Sequence, residues 1–394
     1  MKKRYGLHTR AAQAHLDGQK QNRPLSVPIV QASTFQVESS EQLKQLFRTR
    51  AATMYSRFGN PTLREAGARV ALLEGAEAGL VFASGMSAIT TSLFTRLKPG
   101  DHVVAQRDIF AQTFTFLDRF LRGLGVDTTF VDATNLAEVK AARKPNTRLV
   151  YVETPSNPLI KIVDLKAIAQ IAREQHAALF VDSTFASPAL QNPLELGATL
   201  VLHSATKFLA GHADLMCGAV AGPRDLIAAI QETQILLGSI QDPHAAWLLL
   251  RGMKTLGVRV QRQCENALAI ARFLADQDGI ARVHYPWLES SPYHRLAREQ
   301  MRGGGGVLSF EVTSGLRGAR AFLQALELIP VATSLGGVET VVEIPAELDF
   351  GEDELGEEVK KTGISSALIR LSVGIEDPSD LLDDLKRGVA ALRR

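Results

Sequence analysis

Ser204-Ala205-Thr206-Lys207 follows the apolar run of residues 199–202. On an extended segment Ser204 and Thr206 point to the same side, so both hydroxyls can face one phosphate group. A lone lysine after a strand is usually a solvated surface residue. The neighbouring hydroxyls indicate instead that the Lys207 amine lies beside a bound phosphate compound.

An earlier apolar run in the chain is followed directly by an aspartate. Ala178-Leu179-Phe180-Val181 leads into Asp182, and open α/β sheets bind ligands at the carboxyl ends of their strands. A buried aspartate there needs a cation, and a protonated pyridine nitrogen is one. A turn or helix-cap aspartate is the alternative, which Thr184 and Pro188 also allow, but the short step from Asp182 to Lys207 favours the pyridine.

A third segment supplies phosphate donors. Ser84-Gly85-Met86 follows a predicted strand at residues 79–83, and residues 86–97 have helical composition. The free amides at the start of that helix attract a phosphate, and Gly85 permits its close approach. Lysine amine, buried carboxylate and phosphate donors together are the requirements of pyridoxal phosphate, which is therefore the predicted cofactor.

The chain also resembles the Cys/Met-metabolism, or transsulfuration, family of pyridoxal-phosphate enzymes over nearly its whole length. The motifs that carry the resemblance are Tyr55-Ser56-Arg57, Asn60-Pro61-Thr62, Ser84-Gly85-Met86, Glu153-Thr154-Pro155-Ser156-Asn157-Pro158, Val181-Asp182-Ser183-Thr184-Phe185, Ser204-Ala205-Thr206-Lys207, Arg251-Gly252-Met253-Lys254-Thr255-Leu256, Ser334-Leu335-Gly336-Gly337-Val338-Glu339 and Arg370-Leu371-Ser372-Val373-Gly374. The resemblance implies an α/β fold like that of aspartate aminotransferase (fold type I), with a mainly parallel central sheet and a smaller C-terminal α+β domain.

The resemblance also assigns roles to residues. The cofactor-binding residues are expected to be Tyr55, Arg57, Ser84, Gly85, Met86, Phe110, Asn157, Asp182, Thr184, Ser204, Thr206 and Lys207, with Lys207 also catalytic. The substrate-binding residues are expected to be Asn157, Ser334, Glu339 and Arg370, and no metal is expected. Tyr55 and Arg57 would reach the phosphate of a neighbouring subunit, although Asn60 and Pro61 also fit an ordinary loop before a helix. Arg370 would bind the substrate carboxylate, and its alternative is an internal salt bridge.

Departures from the family pattern bear on the substrate. Asp108-Ile109-Phe110-Ala111-Gln112-Thr113 has phenylalanine where most members have tyrosine. Phe110 can stack on the pyridine ring but cannot protonate a leaving thiolate. A good leaving group needs that proton less, so γ-replacement on an O-acyl-L-homoserine by cysteine or sulfide is the predicted reaction. Gln112 replaces a cysteine of methionine γ-lyases, and Glu343-Ile344-Pro345 lacks a histidine that is usual before the proline.

Two other functions remain open. The first is elimination of the cystathionine γ-lyase or methionine γ-lyase type, which would use the same residues. The second is a noncatalytic protein that only binds pyridoxal phosphate. The presence of both Arg370 and Asn157 argues against the second.

The composition of the chain limits the classes of partner that it is expected to bind. The 394 residues include 44 basic and 42 acidic side chains, which argues against nucleic acid as a partner, and no apolar run is long enough to span a membrane. Two cysteines are too few for a disulfide framework, and no apolar stretch follows the charged residues 1–4, so a cytoplasmic protein without a signal peptide is expected. The expected partners are small-molecule amino acids and other subunits of a homotetramer, a dimer of dimers with shared active sites.

The pattern of strands and helices divides the chain. Residues 1–55 are predicted to form an N-terminal arm that contacts a neighbouring subunit, residues 56–250 the cofactor-binding α/β domain, and residues 251–394 the C-terminal α+β domain. Predicted strands lie near Leu80, Val103, Phe130, Val150, Phe180 and Val201 in the first domain, and over residues 307–312 and 368–373 in the second. The acidic residues 352–358 are predicted to be a solvated stretch, or else a lid over the substrate entrance.

Overall fold

The computed structural model describes residues 5–13, 24–49, 54–349 and 364–393. The predicted acidic stretch or lid at 352–358 lies outside the described residues. So do parts of the predicted N-terminal arm.

The larger sheet has seven strands in the order β1-β7-β6-β5-β4-β2-β3. Its strands are β1 Ala78–Phe82, β2 His102–Gln106, β3 Asp127–Val131, β4 Thr147–Glu153, β5 Ala178–Asp182, β6 Leu200–Ser204 and β7 Gly218–Gly222. All neighbouring pairs are parallel except the two that involve β7. The predicted α/β fold with a mainly parallel sheet is thus confirmed.

The central strands are buried on both faces. Every residue of β2, β5 and β7 is buried, as is typical of a sheet that helices cover on both sides. Because the strands themselves are buried, the first polar side chain after each apolar run is the first that can contact a ligand at the edge of the sheet. Because parallel strands end at the same edge, the residues that follow β4, β5 and β6 converge there.

The part of the chain that builds this sheet also forms helices. They are α1 Leu7–Ala12, α2 Ser40–Thr49, α3 Pro61–Glu74, α4 Gly85–Arg96, α5 Ala111–Thr115, α6 Leu136–Ala141, α7 Leu165–Glu174, α8 Ser187–Leu190, α9 Arg224–Leu237, α10 Pro243–Met253 and α11 Leu256–Ala275, with a π-helical turn at Phe116–Leu121 and a 3₁₀ turn at Pro193–Leu196. In α7 the Asp164 side chain accepts a hydrogen bond from Ala167 N at 3.0 Å, as an N-cap residue does.

A second, smaller sheet follows α11. Its four strands, β8 Ile280–His284, β9 Val307–Val312, β10 Val341–Glu343 and β11 Leu368–Ser372, pair antiparallel in the order β10-β11-β9-β8. Within the described part of this region, the helices are α12 His294–Gln300, α13 Gly315–Gln324, α14 Pro345–Asp349 and α15 Pro378–Ala391. This sheet has its own apolar core, built around Phe310 and Phe322. The residue boundaries predicted for the domains remain predictions.

One local prediction is wrong. Ser204 ends strand β6, and the residues after it form a turn rather than an extended segment, with Lys207 N donating to Ser204 O at 3.2 Å. The Thr206 hydroxyl instead bonds the backbone of Cys217, to which it donates at 3.2 Å and from which it accepts at 2.9 Å. The chain turns there because strand β7, which the sequence analysis missed, returns antiparallel to β6.

The turn that carries Lys207 rests against helix α10. A methyl group added at Gly252 would lie 2.2 Å from Ala210 O, a backbone atom that cannot rotate away. We therefore expect Gly252→Ala to destabilise the fold by about 1–3 kcal/mol, the typical cost of overpacking, measured as a fall in the midpoint of thermal unfolding. Gly123→Ala is the control, since an added methyl group there meets nothing within 4 Å. Equal midpoints for the two variants would contradict this packing.

Candidate active site

A cavity of about 400 Å³ opens where the two sheets meet. Its walls bring together most of the residues that the sequence analysis selected. These are Ser84, Gly85, Met86, Phe110, Asn157, Asp182, Thr184, Ser204, Thr206, Lys207, Ser334 and Arg370. Tyr55, Arg57 and Glu339 are not among the lining residues.

One end of the cavity is the start of helix α4. Ser84 caps the helix: its hydroxyl accepts from Ser87 N at 3.1 Å, while Ser87 Oγ accepts from Ser84 N at 3.0 Å. Gly85 is the first helical residue, and a methyl group on it would lie 2.8 Å from Ser204 Cβ. Only glycine lets the helix start approach strand β6 this closely. The positive end of the helix dipole and the Ser204 hydroxyl therefore lie side by side.

Asp182 is buried at the end of β5, where it is 5% exposed. One carboxylate oxygen accepts hydrogen bonds from Thr184 N at 3.0 Å and from Thr184 Oγ1 at 2.6 Å. Burial raises the pKa of the Asp182 carboxyl above its usual range, although the hydrogen bonds from Thr184 oppose that shift. A cation placed beside this carboxylate would restore its ionised form.

Lys207 reaches into the cavity from the turn after β6. Its ammonium donates to Ser334 Oγ at 2.6 Å. Burial, followed by the positive charge of Arg370, lowers the pKa of Lys207 to about 8, and the Glu343 carboxylate opposes that shift. Lys207 is therefore an amine that loses its proton far more readily than a surface lysine does.

Arg370 is held by acceptors from three segments. Nη1 donates to Asn157 Oδ1 at 2.9 Å, and Nη2 donates to Ser334 O at 2.9 Å. Nη2 also lies 2.7 Å from Glu343 Oε1 in a buried salt bridge. The internal salt bridge that was the alternative for Arg370 is thus present, on the wall of the same cavity.

The sequence analysis assigned no role to two acids of the cavity wall, Glu153 and Glu343. Glu153 ends strand β4 directly opposite Asp182, and its two oxygens accept from Phe110 N at 3.0 Å and Asn157 N at 2.8 Å. Burial, followed by the charge of Asp182, raises the pKa of Glu153 well above its usual range. The signal that selected Asp182, a first charge at the end of an apolar strand, would also have selected Glu153.

Three predicted residues lie elsewhere in the chain. The Arg57 guanidinium is 5.6 Å from the centre of the Tyr55 ring and 5.0 Å from that of Phe58. Tyr55 is 41% exposed, and Glu339 is also exposed. Within one chain, therefore, Tyr55 and Arg57 do not contribute to the cavity, and Glu339 does not face it.

Comparison with known proteins agrees with this geometry. Residues 8–390 match the model of the family described as "Cys/Met metabolism PLP-dependent enzyme". The chain belongs to this family. It is 43% identical to an L-methionine gamma-lyase of Pseudomonas putida over 98% of both chains, and 42% identical to an O-succinylhomoserine sulfhydrylase of Pseudomonas aeruginosa over 86% of this chain and 84% of that protein. The structure of cystathionine gamma-lyase from Lactobacillus plantarum, complexed with L-serine, superposes with a TM-score of 0.91 at 37% identity and covers 99% of this chain and 100% of that one.

The protein is accordingly a pyridoxal-phosphate enzyme of the transsulfuration family, a transferase or lyase of fold type I, and small-molecule amino-acid substrates fit that family. The cavity fits that cofactor. The start of α4 at Gly85, next to Ser204, can take the phosphate, the buried Asp182 can face a protonated pyridine, and Lys207 offers the amine. Among the described residues, no helix is both long and apolar enough to cross a membrane.

The Lys207 amine gives a pH-dependent prediction for the protein freed of cofactor. Because burial disfavours the ammonium form, the neutral amine should appear at lower pH than in an exposed lysine, whose pKa is usually about 10.4. A brief pulse of acetic anhydride at a series of pH values, followed by peptide mass spectrometry, should show half-maximal labelling of Lys207 at about pH 8.

A short unstructured peptide with one lysine, added to the same reaction, is the internal control and should be labelled half-maximally at about pH 10.4. Arg370→Met should shift the Lys207 midpoint upward, since the Arg370 charge lowers the pKa of Lys207. A Lys207 profile that coincides with that of the peptide lysine would contradict the burial of the amine.

Proposed function

We propose that the protein is a γ-lyase, which eliminates an uncharged sulfur substituent from Cγ of an L-amino acid, as in methionine. In this reaction the Cγ–S bond breaks and the thiol leaves with a proton. One water molecule converts the remaining carbon chain to 2-oxobutanoate and ammonia, so that all atoms balance.

The apolar part of the cavity wall is the observation that carries this proposal. The side chains of Met86, Ile89, Phe110, Phe185, Met216, Leu335 and Pro345 line the cavity alongside its charged and polar residues. Such a wall suits a thioether chain and offers a distant charged group little compensation. Glu339, which was expected to bind the substrate, is exposed and outside this wall.

The relatives also favour elimination. The sequence analysis favoured γ-replacement, whereas the methionine gamma-lyase of Pseudomonas putida is 43% identical and the structural neighbour from Lactobacillus plantarum is a cystathionine gamma-lyase. Gln112 stands where methionine γ-lyases have a cysteine. It is exposed and does not line the cavity of its own chain. It therefore carries little weight for the substrate.

The cofactor and the side chains would supply different parts of the chemistry. Pyridoxal phosphate, when bound, supplies an aldehyde that condenses with an amino group and a ring that accepts electron density. We assign Asp182 to hold the pyridine nitrogen protonated, and Ser84, Gly85 and Ser204 to the phosphate end, where Thr206 lines the cavity while its hydroxyl stays bonded to the Cys217 backbone. Met86 lies beside them, and Thr184 fixes the orientation of Asp182.

The substrate is held and deprotonated by three other side chains. Arg370 would bind the α-carboxylate, with Asn157 beside it. Lys207, whose pKa is about 8, would take the proton from Cα, and Ser334 Oγ holds its nitrogen in place. Phe110 would pack against the ring as an apolar surface. It has no hydroxyl, so the proton for the leaving thiol must come from another group.

A second candidate rests on that missing hydroxyl. Ester leaving groups depart without the proton that a thiolate requires, so Phe110 suits an O-acyl-L-homoserine. The 42% identity to an O-succinylhomoserine sulfhydrylase agrees with this alternative. In that case the Cγ–O bond would break, the acyl group would leave as a carboxylate, and cysteine or sulfide would add at Cγ through sulfur with loss of its S–H proton, giving γ-replacement.

Product analysis separates the two candidates. The loaded enzyme is incubated with L-methionine or L-cystathionine alone, and with O-succinyl-L-homoserine in the presence of cysteine or sulfide. Mass spectrometry then follows 2-oxobutanoate, methanethiol, cystathionine and homocysteine. We expect 2-oxobutanoate and methanethiol from L-methionine.

Lys207→Ala is the control and should yield no product above the uncatalysed background. Cystathionine or homocysteine as the main product, with little 2-oxobutanoate from methionine, would show that γ-replacement is the function. Turnover of none of these substrates by the loaded protein would refute both candidates.

We also propose that two chains build each site, within a homotetramer formed as a dimer of dimers. Tyr55 and Arg57 lie outside the cavity of their own chain, and Arg57 has the planar fork that binds phosphate. In this arrangement they would reach the phosphate end of a neighbouring cavity.

Complementation tests this sharing. Arg57→Ala and Lys207→Ala chains are each expected to be nearly inactive alone. In a mixed dimer, one site combines an intact Lys207 with Arg57 of the other chain, so co-expression should restore about a quarter of wild-type activity if chains pair at random. Activity no higher than that of the separate variants would place Arg57 in the site of its own chain.

A further inference from the structure

Glu343, like Glu153, is a buried acid of the cavity wall to which the proposed mechanism gives no role. It is the last residue of β10 and lies directly opposite Arg370 of β11 in the antiparallel register. The side chains of Arg370 and Glu343 are only 7% and 9% exposed, and the salt bridge between them measures 2.7 Å. Both line the cavity together with Lys207.

Stability is a poor explanation for this pair. Taking two charges out of water costs about as much as their attraction returns, so buried salt bridges contribute little net free energy of folding. A buried pair in a cavity wall is better explained by what it does to the orientation and charge of Arg370.

The orientation effect follows from the hydrogen bonds. Arg370 Nη2 contacts both Ser334 O and Glu343 Oε1, while Nη1 contacts Asn157 Oδ1. These acceptors come from three different segments, which together fix the plane of the guanidinium. A planar group fixed in this way binds a carboxylate without first losing rotational freedom.

The charge effect has the opposite sign. Glu343 places a negative charge against the one arginine that is proposed to bind the substrate carboxylate. Like charges within a few ångströms repel, and the repulsion is stronger in a poorly hydrated cavity than in water. Glu343 thus weakens the attraction of Arg370 for the carboxylate of a bound substrate.

We propose that Glu343 is a positioning residue that sets the carboxylate affinity of this site, orienting Arg370 with an oxygen atom while reducing its attraction with a charge. The proposal rests on the proposed role of Arg370 as the substrate anchor. Under this proposal the site binds one carboxylate of the substrate, and binds it weakly enough for that carboxylate to be released again.

Two substitutions separate the two effects. Glu343→Gln keeps an oxygen acceptor and nearly the same volume but removes the charge, and its amide can donate to an incoming carboxylate. Glu343→Ala removes both the oxygen and the charge. Glu311→Gln is the matched control, because Glu311 lies on β9 of the same sheet and pairs with His284 at 2.7 Å, outside the cavity.

Binding is measured by calorimetry on the cofactor-loaded protein with two fragments of methionine that cannot be turned over as substrates. One is 4-(methylthio)butanoate, which lacks the amino group, and the other is 3-(methylthio)propylamine, which lacks the carboxylate. Glu343→Gln should bind the butanoate at least about five-fold more tightly than wild type. Glu343→Ala should bind it more weakly than Glu343→Gln. Glu311→Gln should change neither affinity, and neither Glu343 variant should bind the amine more tightly than wild type, because the lost carboxylate can only have attracted its ammonium group.

The outcomes are distinct. Equal or weaker butanoate binding by Glu343→Gln would overturn the charge effect, and equal binding by Glu343→Gln and Glu343→Ala would overturn the positioning effect. Parallel changes for the butanoate and the amine would mean that Glu343 only supports the cavity wall. Arg370→Met tests the anchor itself: if it binds the butanoate as well as wild type does, the role of Arg370 in the proposed function fails, whatever Glu343 does. Circular dichroism of each variant checks its fold.

Discussion

Ser334 joins the two halves of the cavity, and the arrangement of the site depends on it. Its hydroxyl accepts from Lys207, which follows the larger sheet, and its carbonyl accepts from Arg370 of the smaller one. The residue has φ = 82°, a conformation that typically costs a residue other than glycine about 1–3 kcal/mol. The surrounding contacts maintain it. Two residues later, a methyl group on Gly336 would lie 2.7 Å from Phe208 N, and Gly336 N donates to Ser372 Oγ at 2.8 Å.

Much of the fold and the cofactor end of the site could be predicted from local sequence. Buried parallel strands are continuous apolar runs, so the strands near Leu80, Val103, Phe130, Val150, Phe180 and Val201 are visible in the sequence and are all present. Asp182 and Ser84 could be placed because each comes directly after such a run. Strand β7 was missed because Gly218-Ala219-Val220-Ala221-Gly222 has small residues and glycine at both ends, which are weak strand formers. The turn after Ser204 was missed for the same reason, since it depends on β7.

The substrate end could not be predicted in the same way. Glu343 and Arg370 are on adjacent antiparallel strands, and their contact depends on a register that neither sequence segment encodes alone. The placement of Glu339 outside the cavity depends on how the 334–339 segment bends. Tyr55 and Arg57 pose a different problem, because the surface that they would complete belongs to another chain. Under the proposed function the contact between Glu343 and Arg370 bears on the substrate, so sequence identifies the cofactor more readily than the reaction.

The cavity also constrains how the protein reaches its native state. Its hydrogen bonds join residues that are distant along the chain: Lys207 and Ser334 are 127 positions apart, and Asn157 and Arg370 are 213 apart. Contacts of such long range form only after large loops have closed, an entropic cost that must be met before the contacts contribute free energy. The larger sheet can therefore assemble its strands without completing the site. Occupancy by cofactor and substrate would then stabilise the docking of the two sheets, since a ligand that binds only the native state shifts the folding equilibrium toward it.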